Sequence, residues 1–83
     1  MGQRMSDIFE RRLEILLFIT FSTAETTVKE VHELATVDLT LAAVKKIVRE
    51  FLDGGYIESR LSGRKLFYRP SEKSLQLFGK NKP

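Results

Sequence analysis

The sequence predicts a mainly α domain with one small β-hairpin, an α+β chain of 83 residues, and three observations carry that expectation. Thr40 to Asp53 separates apolar from cationic residues at helical spacing and stops at Gly54-Gly55. Tyr56 to Arg69 alternates as two short strands around Ser62-Gly63-Arg64. Ser6 to Phe21 is rich in large apolar residues, but its longest apolar stretch, Ile15 to Ile19, is far below the roughly 20 residues that span a bilayer.

Taken in order, Ser6 is expected to cap a first helix over 6–21, with Asp7 in its first turn four residues from Arg11. At 100° per residue Ile8, Ile15 and Ile19 fall together, and Phe9, Leu13 and Leu16 widen that stripe. Leu17, Phe18 and Phe21 occupy much of the remaining circumference. A helix apolar on nearly every side needs cover on two faces, which one thin domain supplies poorly. The expectation is a self-association surface comprising Phe9, Leu13, Leu17, Phe18 and Phe21.

Thr27 followed by Glu30 has capping-box spacing, so a second helix is expected over 27–35, with Val28, Val31, Leu34 and Ala35 inward. His32 borders that stripe; without a cysteine or second histidine it reads as a packed or solvated residue, not a ligand or base. After a turn over 36–39, Thr40 is the expected cap of the third helix, 40–53, with Asp38 as the alternative. From Thr40, Val44, Ile47, Val48 and Phe51 share an arc of about 100°, and Ala42, Lys45, Lys46 and Arg49 lie opposite.

In the hairpin, 56–69, Ile57, Ser59 and Leu61 share one face, as do Leu66 and Tyr68. Arg60, Arg64, Lys65 and Arg69 place positive charge along it. Ser71 is expected to cap a last short helix, 72–78, whose Leu77 and Phe78 join the association surface, before a tail over 79–83. The elements form a single domain over 1–83.

Residues 1 to 36 hold four basic and six acidic side chains, and residues 37 to 83 hold ten and five. The excess positive charge therefore falls on the third helix and hairpin, a distribution that attracts polyanions. Cysteine is absent, which excludes disulfide staples and thiolate metal ligands. The start, MGQRMSD, lacks a hydrophobic run before a small-residue cleavage site, so a cytoplasmic protein is expected. The acidic residues are dispersed among basic ones and no glycine loop cradles phosphate, so no enzyme is expected and no cofactor or metal is called for.

Helix, helix, turn, helix and hairpin is the order of the winged helix-turn-helix. The stretch VKEVHELATVDLTLAAVKKIVREFLDGGYIESRLSGRKLFYRPSEKSLQLF resembles the DNA-binding core of ArsR-like and MarR-like prokaryotic regulators. Gly55, Ile57, Glu58, Arg60, Gly63, Arg64 and Tyr68 fall where that superfamily commonly has a glycine stop, a strand start and a basic wing. The resemblance implies a homodimeric transcriptional regulator, a repressor on double-stranded DNA. Thr40, Leu41, Ala42, Lys45, Lys46 and Arg49 would form its recognition surface, and Arg60, Arg64 and Lys65 its wing contacts. Two features depart from the pattern: the cysteine metal-sensor motifs and the long terminal dimerisation helices are missing. No small-molecule effector is identifiable. The alternative is a winged helix serving protein interaction without DNA readout, since one fold hosts both uses.

Overall fold

A computed structural model describes residues 5–79, with side chains from residue 9 onward. It contains α1 (Met5–Phe21), α2 (Val28–Leu34), α3 (Leu41–Asp53), β1 (Ile57–Ser62), β2 (Lys65–Pro70) and α4 (Glu72–Leu77). The order matches the expected mainly α architecture with one hairpin. The strands pair antiparallel, in register from Ile57 opposite Pro70 to Ser62 opposite Lys65.

One core holds the elements together. Ile15, Leu16 and Ile19 of α1 meet Val31 of α2, Val44, Ile47 and Val48 of α3, and Ile57 and Tyr68 at the hairpin base. Fully burying each aliphatic side chain of this kind contributes about 1.5–3 kcal/mol. The inner face of α3 is the one its helical periodicity predicts, with Phe51 half-buried at its edge.

Local chemistry sets the helix starts. Thr27 Oγ1 accepts from the Glu30 amide at 3.2 Å while the Glu30 carboxylate accepts from the Thr27 amide at 3.0 Å, completing the expected capping box. Thr40 Oγ1 accepts from the Ala43 amide at 3.1 Å, so Thr40 caps α3. Asp38 instead pairs with Arg11 at 2.9 Å. At the end of α3 the left-handed turn falls on Gly55, φ +80°, a conformation that a side chain resists. Gly63, φ +63°, is the first residue of the two-residue hairpin turn and suits it for the same reason.

Four local expectations need correction. Ser6 lies inside α1 and does not precede it. The expected pairing of Asp7 with Arg11 falls on side chains outside the described residues, as do the Ile8 side chain and most of the expected tail; among the described residues Arg11 forms ion pairs with Glu14 and Asp38. Leu34 is 70% exposed, because helical spacing puts it about 60° from Val31, on the side away from Val28 and Ala35. On its inward face the hairpin is buried only at its base, where Ile57 and Tyr68 meet the core; Ser59, Leu61 and Leu66 are exposed. Ser71 occupies the cap position of α4, but its hydroxyl donates to the Gly55 carbonyl at 2.6 Å and makes no cap bond.

Two further ties fix the hairpin against the helices. Thr26 and Tyr68 exchange backbone hydrogen bonds of 3.0 and 2.7 Å, so the loop before α2 adds a one-residue bridge to β2. Ser74, fully buried in α4, donates to the Tyr56 carbonyl at 2.6 Å. No helix among the described residues is long and apolar enough to cross a membrane.

Candidate nucleic-acid interface

With Val44, Ile47 and Val48 turned inward, helical geometry turns Ala42, Lys45, Lys46 and Arg49 outward, and all four are exposed. They form one wall of a groove of about 830 Å³. Thr27, Val28 and Lys29 from the start of α2 form a second wall, and Lys65, Leu66 and Tyr68 of β2 a third, with Leu52 completing the lining.

No acidic residue among those described lines this groove. Among the described residues, its cations Lys29, Lys45, Lys46, Arg49 and Lys65 make no ion pair within 4 Å, and neither does Arg64 in the hairpin turn. The paired basic residues lie elsewhere: Arg11 with Glu14 and Asp38, Arg12 with Glu50, Arg60 with Glu25, and Arg69 with Glu58. The ion-paired arginines thus lie outside the groove, and each described cation that lines it is left unneutralised.

The expected site residues divide accordingly. Ala42, Lys45, Lys46, Arg49 and Lys65 come together in the groove. Thr40 and Leu41 lie beyond its lining, at the N-terminal end of α3, and both are exposed. Arg60 does not join the groove. Strand alternation and its pairing with Phe67 put it on the face opposite Leu66 and Tyr68. There its guanidinium donates to Glu25 at 2.7–3.1 Å and lies 5.5 Å from the Phe67 ring centroid. This holds the Glu25 carboxyl below its ordinary value, first through the hydrogen bonds, and raises Arg60 for the same reason. Lys29, Leu52, Leu66 and Tyr68 are lining residues that sequence reasoning did not select. Lys29 reads as part of a solvated helix face, and its place beside α3 follows only from the packing of α2.

The residues expected at the association surface also divide. Phe9, Leu13, Phe21 and Leu77 are exposed, at 66, 37, 51 and 63%. Leu17 is half-buried, and Phe18 and Phe78 are half-buried against the core. Phe21 and Phe78 meet with ring centroids 6.1 Å apart, joining the end of α1 to the end of α4.

His32 contributes to structure: its Nε2 lies 2.7 Å from the Leu39 carbonyl oxygen, tying α2 to the turn before α3. Among the described residues, no group of three or more His, Cys, Asp or Glu side chains is arranged to hold a metal ion.

No family model matches this sequence, and no curated protein matches it. Solved structures do share its fold. AF1382 from Archaeoglobus fulgidus is 20% identical and superposes with a TM-score of 0.74 over 86% of this chain and 79% of its own. The homodimeric winged helix-turn-helix DNA-binding domain (fragment 1–100) of Mb0332 from Mycobacterium bovis, a possible ArsR-family transcriptional regulator, is 20% identical. It gives a TM-score of 0.68 over 96% of this chain and 82% of that one. TubR bound to 24 bp of tubC, from Bacillus thuringiensis serovar israelensis pBtoxis, is 22% identical, with a TM-score of 0.65 over 96 and 97% of the two chains. The chain therefore has the winged helix-turn-helix fold, with the hairpin as its wing.

Proposed function

We propose that the chain binds double-stranded DNA as a cytoplasmic homodimer and regulates transcription, acting as a repressor on a pseudo-palindromic operator. The observation that carries this reading is the groove lined, among the described residues, by five unpaired cations and no acid. A surface used for protein docking gains little from leaving so many like charges unneutralised, whereas each one placed on a phosphate releases a counterion. The solved structure of TubR on tubC DNA and the homodimeric Mb0332 domain support the same use of this fold.

In this arrangement α3 enters the major groove, about 12 Å wide and able to admit a helix. Lys45, Lys46 and Arg49 reach phosphates or guanine O6 and N7, and Leu41 and Ala42 meet thymine methyl groups. Thr40 and the first amides of α3 meet a phosphate at the positive end of the helix dipole. Arg64 and Lys65 hold the backbone beside them. Asn and Gln, the usual bidentate partners of adenine, are absent from α3, so backbone contacts contribute more to affinity than hydrogen-bonded base readout. Phe9, Leu13, Phe21 and Leu77 supply apolar surface for the two-fold contact, and the two α3 helices then meet half-sites about 34 Å apart. Repression by occluding a promoter requires no catalytic group, metal or small-molecule effector.

Gel-shift titrations of wild type and Arg64→Ala/Lys65→Ala over a series of salt concentrations test the reading. Wild type retards duplex DNA at low salt. Loss of two phosphate contacts lowers the slope of log K against log salt by about 1.8, at about 0.9 per contact. An unchanged slope removes the wing from the interface, and no retardation by wild type at low salt overturns the DNA-binding reading.

A further inference from the structure

Glu50 borders the cationic face of α3, and its charge is answered from another helix. It lies four residues beyond Lys46, one turn along the same side of α3, where lysine and glutamate ordinarily pair. In the structure that pair does not form. Arg12, 38 residues away on α1, takes Glu50 in a two-pronged contact: Nη2 to Oε1 at 3.0 Å and Nη1 to Oε2 at 3.1 Å. Lys46 is left lining the groove without a partner.

We infer that Arg12 is a positioning residue for DNA binding: by engaging Glu50 it keeps Lys46 free for a phosphate, although Arg12 does not line the groove. The inference rests on the proposed DNA-binding face. Arg12 outcompetes Lys46 because its planar fork matches both carboxylate oxygens, whereas an ammonium offers a point charge. The Glu50 carboxyl is held below its ordinary value first by the Arg12 hydrogen bonds, with Lys46 making a smaller contribution through space. Lys46, four residues from Glu50 on the same side of α3, is at the spacing from which it can inherit Glu50 once Arg12 is removed. A pair formed there withdraws one cation from the DNA and leaves an acid facing the phosphates.

The test is a set of duplex-binding titrations on the full chain. Arg12→Ala is expected to weaken binding about threefold to eightfold at 0.1 M salt, the upper figure being one whole phosphate contact, and to lower the salt slope by up to about 0.9. Glu50→Gln breaks the same contact but removes the competing charge, so its affinity equals or exceeds that of wild type. Arg12→Ala/Glu50→Gln returns to the Glu50→Gln value. Lys46→Ala weakens binding in wild type and costs less than about twofold in the Arg12→Ala background, since that contact is already lost. The α1–α3 tie is missing from all three Arg12 and Glu50 variants, so a merely structural role moves them in the same direction. Parallel losses in Arg12→Ala and Glu50→Gln overturn the inference. So does equal recovery by Arg12→Ala/Glu33→Gln, which restores net charge at an exposed acid outside the groove. If Lys46→Ala leaves wild-type binding unchanged, the fault lies earlier, in the assignment of the DNA-binding face, and the inference falls with it.

Discussion

Thr40 permits stability and DNA contact to be separated at one atom. Its hydroxyl accepts the Ala43 amide at 3.1 Å, satisfying one of the four unpaired donors at the start of α3. Thr40→Ala removes that bond and is expected to cost about 1 kcal/mol, within the 0.5–2 kcal/mol range for lost caps. At a urea m-value of about 1 kcal/mol/M for a chain of this size, the unfolding midpoint falls by about 1 M. Thr40→Asp keeps the acceptor and places a negative charge at the positive end of the helix, so its midpoint matches or exceeds that of wild type. The same charge sits where a phosphate is proposed to dock, so Thr40→Asp weakens duplex binding more than Thr40→Ala does. Urea titration by circular dichroism and gel shift on the same samples read both effects. The reasoning is refuted if Thr40→Asp is as unstable as Thr40→Ala, which removes the cap, or binds DNA like wild type, which removes the phosphate.

Acid should loosen the fold through Glu25 and Glu50, whose carboxyls are held below their ordinary value of 4.5 by Arg60 and Arg12. A lowered folded-state value contributes stability that is present above the unfolded value and lost as pH falls through the folded one, so Glu25→Gln flattens the decline in urea midpoint below about pH 4.5. Phe9→Glu/Leu77→Glu is expected to yield monomers by analytical ultracentrifugation with the circular dichroism spectrum retained, because both side chains are more than half exposed; a persisting dimer would place the contact elsewhere. Gly55→Ala, forced to φ +80°, should lower stability by about 1–2 kcal/mol although no atom lies within 4 Å of the added methyl. A wild-type midpoint would show that the backbone there relaxes without penalty.

What the sequence reveals and conceals follows the range of the interactions. The two capping threonines, the glycine stop and the division of α3 into an apolar and a cationic face depend on neighbours within four residues, and each is present as expected. The failures depend on distant partners. Arg60 sits in a run of wing cations, and nothing local indicates that Glu25 from the α1–α2 loop engages it. Ser71 precedes α4 as a cap should, yet the Gly55 carbonyl, brought close by the fold, captures its hydroxyl. Leu34 illustrates a different error: a seven-residue helix is too short for its apolar face to be defined by counting alone. Its orientation is set by packing against α1 and α3. Lys29 enters the groove through that same packing.

The division of basic residues by type carries a final consequence. Among the described residues, four of the arginines answer carboxylates and the groove lysines answer none. This suits their chemistry, since guanidinium forks hold fixed carboxylates while mobile ammonium groups follow a phosphate backbone. Arg49 is the arginine of α3, and it stays unpaired although Asp53 lies one turn further on. A directional donor left free in the middle of a groove otherwise served by point charges is best matched by a directional acceptor pair, guanine O6 and N7. Arg49→Lys keeps the charge but not the fork. Its salt slope should therefore match that of wild type, while selection from random duplexes shows relaxed preference at one base pair per half-site, a discrimination of about 1–3 kcal/mol. Equal loss of affinity on selected and random DNA would instead make Arg49 one more phosphate contact, leaving the methyl contacts of Leu41 and Ala42 and the shape of the duplex to specify the site.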